Sequence, residues 1–115
     1  VLLELGANDG LRGYPVVNIT TNLAAMIEQS QLAGAQVVVM GIQLPPNYGV
    51  RYTAPFFAQY ETLAGRYKTA RVPFILDNIA IHNDLMQPDG LHPTPEAQPI
   101  IVDNVWRNLA DIWVP

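Results

Sequence analysis

The chain has 115 residues, 50% of them hydrophobic and 14% charged, which is room for one small folded domain and too apolar for a disordered segment. Six Lys/Arg against ten Asp/Glu leave a net charge of −4, a poor footprint for nucleic acid, and no apolar run approaches the ~18 residues that a membrane helix needs. With no cysteine there are no disulfides, thiol nucleophiles or thiolate metal sites, and a single serine, Ser30, is the only one a serine hydrolase could draw from these residues.

Val1 to Leu5 is a nearly continuous apolar run stopped by Gly6-Ala7-Asn8-Asp9-Gly10, and it reads as a buried strand followed by a turn. Opening on a buried strand is unusual, because termini tend to lie at the surface, so a segment upstream of Val1 is expected. Asn18 to Gly34 reads as a helix capped by Thr20 or Thr21, with Leu23, Met26, Ile27 and Leu32 on its apolar face and Gly34 just past its end. Gln36 to Leu44, centred on Val37-Val38-Val39-Met40, is a second strand, and Pro45 to Gly49 a loop. Pro55 to Lys68 reads as a helix started by its proline, with Phe56, Phe57, Tyr60, Leu63, Ala64 and Tyr67 as the buried stripe.

Val72 to Leu76 is a third strand, placed near an edge by Pro73. Asp77 to Pro93 is mostly loop, with one helical turn at 80–83. Thr94 to Ile112 closes as a helix with Thr94 as its cap, Pro95 in its first position and Trp106 and Trp113 packing it onto the sheet. The β-α-β-α-β-α order predicts a parallel sheet with right-handed crossovers and helices on both faces. Three strands are thin for a doubly wound sheet, a second sign of residues missing upstream.

In such a sheet ligands bind beyond the carboxyl ends of the strands, which directs attention to 6–14, 44–52 and 77–93. In Asp89-Gly90-Leu91-His92 the glycine lets the chain fold back so that the carboxylate holds one imidazole nitrogen and leaves the other as a base. The same residues also read as an Asx-turn leading into a helix. Asn8 can present an amide to an oxyanion, although an Asn-Asp-Gly turn accounts for it without function. His82, beside Asn83 and Asp84, reads as a solvated loop residue. The spacing of His82, Asp84, Asp89 and His92 matches no metal-ligand pattern, and no cofactor is expected. Ser30 lacks a glycine elbow and a preceding strand, so the residues offer a base, an orienting acid and an oxyanion donor but no nucleophile.

Gly6-Ala7-Asn8-Asp9 resembles the third block of the SGNH (GDSL-type) hydrolases, and Asp89-Gly90-Leu91-His92-Pro93 resembles their fifth. The strings from Leu3 to Gly13 and from Leu44 to Gly49 are similar to the bacterial thioesterase I / lysophospholipase / arylesterase group, and the likeness spans nearly the whole chain. The resemblance implies a three-layer α/β/α, flavodoxin-like domain with a five-stranded parallel sheet. Residues 1–115 would be a single domain truncated at its N-terminus, holding the last three strands, with Val1 in the third.

The resemblance also implies hydrolysis of acyl esters, acyl thioesters or lysophospholipids, with His92 as general base, Asp89 as its orienting partner and Asn8 as oxyanion donor. The loop from Asp9 through Gly10 and Leu11 to Tyr14, with Tyr48, would shape the acyl pocket. The Gly-Asp-Ser block that carries the nucleophile would precede Val1, so the 115 residues alone are expected to be inactive. A periplasmic or secreted location is implied, any signal peptide lying upstream. Beyond the small-molecule substrate, the expected partner is an N-terminal companion segment or a second copy at the open sheet edge. Two other readings stand beside this one. In the first, the chain is an inactive α/β binding module that uses the groove near Leu11, Tyr14 and Tyr48. In the second, the Asp89–His92 pair activates water directly.

Overall fold

The apolar runs of the sequence form a sheet, but each contributes only its centre. In the computed structural model, which describes residues 1–113, β1 (Leu2–Leu3), β2 (Val38–Met40) and β3 (Ala70–Val72) form a parallel sheet in the order β1-β2-β3. Leu3 pairs with Val39, and Val39 with Arg71. The third strand lies two residues earlier than 72–76. Pro73 has no N–H to give the ladder, so pairing ends at Val72. The strands also close together there. Gly41 donates its N–H to the Val72 carbonyl at 2.8 Å, and a Cβ on Gly41 would lie 2.0 Å from the Pro73 carbonyl oxygen.

The chain divides into two compact units, Val1–Pro73 and the residues from Phe74 on. In the first, Leu3, Val37 and Val39 face a core filled by α2 (Val16–Leu32) and α3 (Val50–Tyr67). Val38, Met40 and Val72 alternate to the other face and are buried as well, which is why β2 reads as unbroken hydrophobicity rather than alternation.

Both helices depart from the sequence reading at their starts. Pro15 precedes α2, and the threonines expected as caps lie inside it, their hydroxyls 2.9 Å from the carbonyls of Val16 and Val17 four residues back. Leu23 and Ile27 are buried, but Met26 and Leu32 face outward. Its end is as expected: Gly34, at φ 81°, donates to Gln31, and Ala35 donates to Ser30 at 3.0 Å, the paired bonds of a Schellman motif.

Helix α3 starts at Val50, after Gly49 at φ 83°, so Pro55 stands within the helix rather than at its head. A proline in a helix interior costs about 3 kcal/mol. Burial of Phe56, Tyr60, Leu63 and Ala64 just beyond it outweighs that, at about 1.5–3 kcal/mol for each large side chain. Phe57 and Tyr67, expected in the same stripe, are only partly buried.

In the second unit a run of turns over 75–81 leads to a 3-10 turn at Asn83–Leu85, slightly later than the helical turn expected at 80–83. A second 3-10 turn, Pro95–Ala97, precedes α4 (Gln98–Leu109). Thr94 begins this segment as expected, but through its carbonyl, which accepts the Ala97 N–H at 3.1 Å; its hydroxyl makes no cap. Asn104, buried in α4, donates to the Ile75 and Asp77 carbonyls at 3.0 and 2.8 Å and so pins the turns to the helix. Trp106 and Trp113 are 51% and 58% exposed rather than packed inward.

Candidate functional site

In the first unit the expected turn at 6–10 is a short helix, α1 (Ala7–Leu11). Gly6 makes the corner between β1 and α1 at φ 112°, and a Cβ there would lie 2.6 Å from the Tyr60 hydroxyl. Tyr60 itself is buried and donates to the Leu5 carbonyl at 2.9 Å. Its phenol is pushed well above the ordinary range, first by burial and then by the charges of Glu4 and Asp9, so it stays a neutral donor. The corner therefore rests on a fixed hydroxyl, and Asn8, two residues on, is exposed to solvent.

The residues after Asn8 divide between core and surface. Gly10 is buried against Phe56 and Leu44, and Leu11 packs on the core. The Asp9 carbonyl accepts the Tyr14 N–H at 3.1 Å, and the Tyr52 hydroxyl donates to the Tyr14 carbonyl. Burial, then the Asp9 charge, raises the Tyr52 phenol, so it too remains protonated. Tyr14 and Tyr48 are partly exposed, Tyr48 at the end of a 3-10 turn, Pro46–Tyr48. Next to this turn lies an open groove of about 430 Å³ lined by Gln43, Leu44, Pro46, Val50, Thr53, Ala54 and Phe57. Leu44, Pro46 and Val50 fall in the 44–52 stretch that the sequence pointed to, and Phe57 in the stripe expected to be buried, but nothing in the sequence joined them to Gln43, Thr53 and Ala54. Their grouping depends on where α3 begins, which Pro55 disguised.

The second unit holds Asp89 and His92 on a small hairpin. Met86 and Pro93 face each other across it, Thr94 donates to Leu85 at 2.9 Å, and Gly90 turns the tip at φ 69°. The Asp89 Oδ1 accepts the N–H groups of Leu91 and His92 at 2.9 and 3.0 Å. Its Oδ2 lies 2.6 Å from the His92 Nδ1. The turn and the imidazole clamp are thus two uses of one carboxylate, and the two sequence readings of Asp89 coexist. The His92 hydrogen bond first, and the two backbone donors after it, hold the Asp89 carboxyl down at about 2. With Nδ1 engaged and the His92 side chain 70% exposed, Nε2 is left facing solvent.

Ser30 lies in α2 with its hydroxyl donating to the Met26 carbonyl at 2.8 Å, a helix-surface serine. His82 is exposed at the start of the 3-10 turn Asn83–Leu85. Among the described residues no three His, Asp or Glu side chains gather as metal ligands, and no helix is long and apolar enough to cross a membrane. One residue invisible in the sequence is Gln87, whose backbone and side chain both bond to the strand that carries His92.

A parallel α/β sheet with an Asp–His pair on the loop before the last helix defines the class, and relatives supply the family. Residues 1–99 match the GDSL-like Lipase/Acylhydrolase family, and the chain belongs to that family. It is 47% identical over 109 residues to the esterase TesA of Pseudomonas aeruginosa, covering 95% of this chain and 54% of that protein. It is 40% identical over 109 residues to the thioesterase 1/protease 1/lysophospholipase L1 of Escherichia coli K12, covering 95% of this chain and 52% of that protein. A crystal structure of TesA superposes with a TM-score of 0.93 at 45% identity, over 98% of this chain and 63% of that one. The chain thus spans about half the length of the relatives it matches.

Proposed function

We propose that these residues belong to a hydrolase of acyl esters and thioesters, lysophospholipids among them, and act within a single SGNH-type domain. The observation that carries the reading is the Asp89–His92 clamp: a carboxylate with both oxygens engaged, fixed to Nδ1 at 2.6 Å, leaving Nε2 open. In this reaction His92 Nε2 takes the proton of a serine hydroxyl as that oxygen attacks the acyl carbonyl. It then returns the proton to the departing alcohol or thiol, and Asp89 stabilises the imidazolium between the two steps. Water repeats the sequence on the acyl-enzyme and releases the acid. Asn8 donates to the oxyanion, a role that rests on the resemblance of its block. Asp9 to Tyr14 and Tyr48 shape the acyl pocket on the same ground, and a periplasmic or secreted location likewise rests on the resemblance alone.

The serine is assigned to a segment outside these 115 residues, since Ser30 is spent on a helix carbonyl. The placement of Ser30 also favours the second reading, an inactive binding module. A fluorophosphonate probe read by intact mass and peptide mapping separates the two. The hydrolase reading expects a label on a serine other than Ser30, and a loss of about 100- to 10,000-fold in hydrolysis on His92→Ala. If no serine takes the label, the binding-module reading replaces it.

A further inference from the structure

We propose that Gln87 is a positioning residue for His92, holding the strand that carries the imidazole through two carbonyls. The inference rests on the reading of His92 as the base. Within these residues the His92 ring is 70% exposed, so here polar ties rather than packing hold it. Asp89 ties the ring, but Asp89 lies on the same loop tip, so this bond orients the imidazole only relative to the tip itself. Gln87 ties the tip to the opposite strand. Its backbone N–H donates to the His92 carbonyl at 2.7 Å, and its own carbonyl accepts the Gly90 N–H at 2.9 Å.

The side chain adds a separate bond. Met86 and Pro93 face each other as a non-hydrogen-bonded pair, the ladder bonds lying on either side of it from Gln87 to His92 and from Thr94 to Leu85, so the Pro93 carbonyl is not one of the ladder's acceptors. Gln87 Nε2 donates to the Pro93 carbonyl at 3.0 Å and supplies a tie at that position. The residues on both sides of the His92–Pro93 peptide bond are therefore gripped by one glutamine. A reacting group displaced by about 1 Å can lose about 100-fold in rate, so a tie of this kind acts on kcat.

The test uses Gln87→Met, which keeps the length and the backbone bonds but removes the donor, and Gln87→Lys, which keeps a donor. Both are made in the full chain, with hydrolysis of a chromogenic short acyl ester and the low-field Nδ1 proton of His92 as readouts. Gln87→Met is expected to broaden that proton by faster exchange and to lower kcat about tenfold, with KM within about twofold. Gln87→Lys is expected to recover most of both. A proton as sharp as the parent's with kcat near the parent value in Gln87→Met, or a Lys variant no better than Met, overturns the proposal. The two failures are distinguishable. Full hydrolysis in His92→Ala would sink the base assignment, while the proton signal still reports on Gln87 without any turnover.

Discussion

At Asp89 one carboxylate performs two tasks, and substitution separates them. Asparagine keeps an oxygen for the Leu91 and His92 N–H groups but loses the charge that holds His92. Asp89→Asn is therefore expected to leave the hairpin folded and to lower kcat about 10,000-fold, the cost of presenting a base in the wrong tautomer. The carboxyl is held down from its ordinary 3.8 to about 2. Because the folded value is the lower one, the ionised group stabilises the loop above 3.8, and that contribution is lost as pH falls through about 2. A carbon NMR titration of Asp89 should find its midpoint near 2; a midpoint near 3.8 would contradict the clamp. This pair was legible in the sequence because its partners are three residues apart and the glycine between them has one evident use. Gln87 was not, since its amide gains meaning only when Met86 and Pro93 face each other.

Among the elements, α1 shows how a helix can be fitted onto a core at the cost of side-chain freedom. Gly10 lies in its interior, where alanine would add about 1 kcal/mol of helix propensity. Yet a Cβ there would sit 2.5 Å from the Phe56 ring and 3.0 Å from Leu44, and Phe56 is fully buried. Overpacking of that kind costs about 1–3 kcal/mol, so it outweighs the propensity gain. Gly10→Ala is expected to lower the urea midpoint by a net loss of about 1 kcal/mol with an unchanged slope; a raised midpoint would show that α1 can shift away from Phe56. The helices as such were legible from their apolar spacing. Their starts were not, because Pro55 gave a start signal from inside α3, and Thr20 and Thr21 gave cap signals from inside α2. In each case burial of the next turns outweighed a local preference. Pro73 misled in the other direction: it closes β3 where the apolar run continues.

Across the whole molecule, order is held by different means in the two units. The first is knit by apolar contact around Ile27, Phe56, Tyr60 and Leu63, all nearly free of solvent. The second relies more on hydrogen bonds, with Asn104 pinning the turns before α4 and Gln87 closing an exposed hairpin. Hydrogen exchange read by mass spectrometry should therefore be slowest in α2, α3 and β2 and much faster over 86–93. Uniform protection would show that the hairpin is held by more than these bonds. The β-α-β alternation made the parallel sheet legible from the start, but not the β1-β2-β3 order in which its strands lie. The division at Pro73 was not, because it has no composition change to mark it.

The hairpin has one more consequence, for the lifetime of the molecule. Asp-Gly pairs age chemically: the glycine nitrogen attacks the neighbouring carboxyl, closes a succinimide and reopens it as isoaspartate. Glycine favours this because no side chain hinders the approach, and the reaction goes through the protonated acid. The chain has two such pairs, Asp9-Gly10 and Asp89-Gly90. In both, the glycine N–H is engaged, Gly10 on the Gly6 carbonyl at 3.0 Å and Gly90 on the Gln87 carbonyl at 2.9 Å. At Asp89 the carboxyl is also kept ionised down to about 2. The bonds that shape the loop thus also protect its aspartate from isomerising, and that protection ends whenever the hairpin opens.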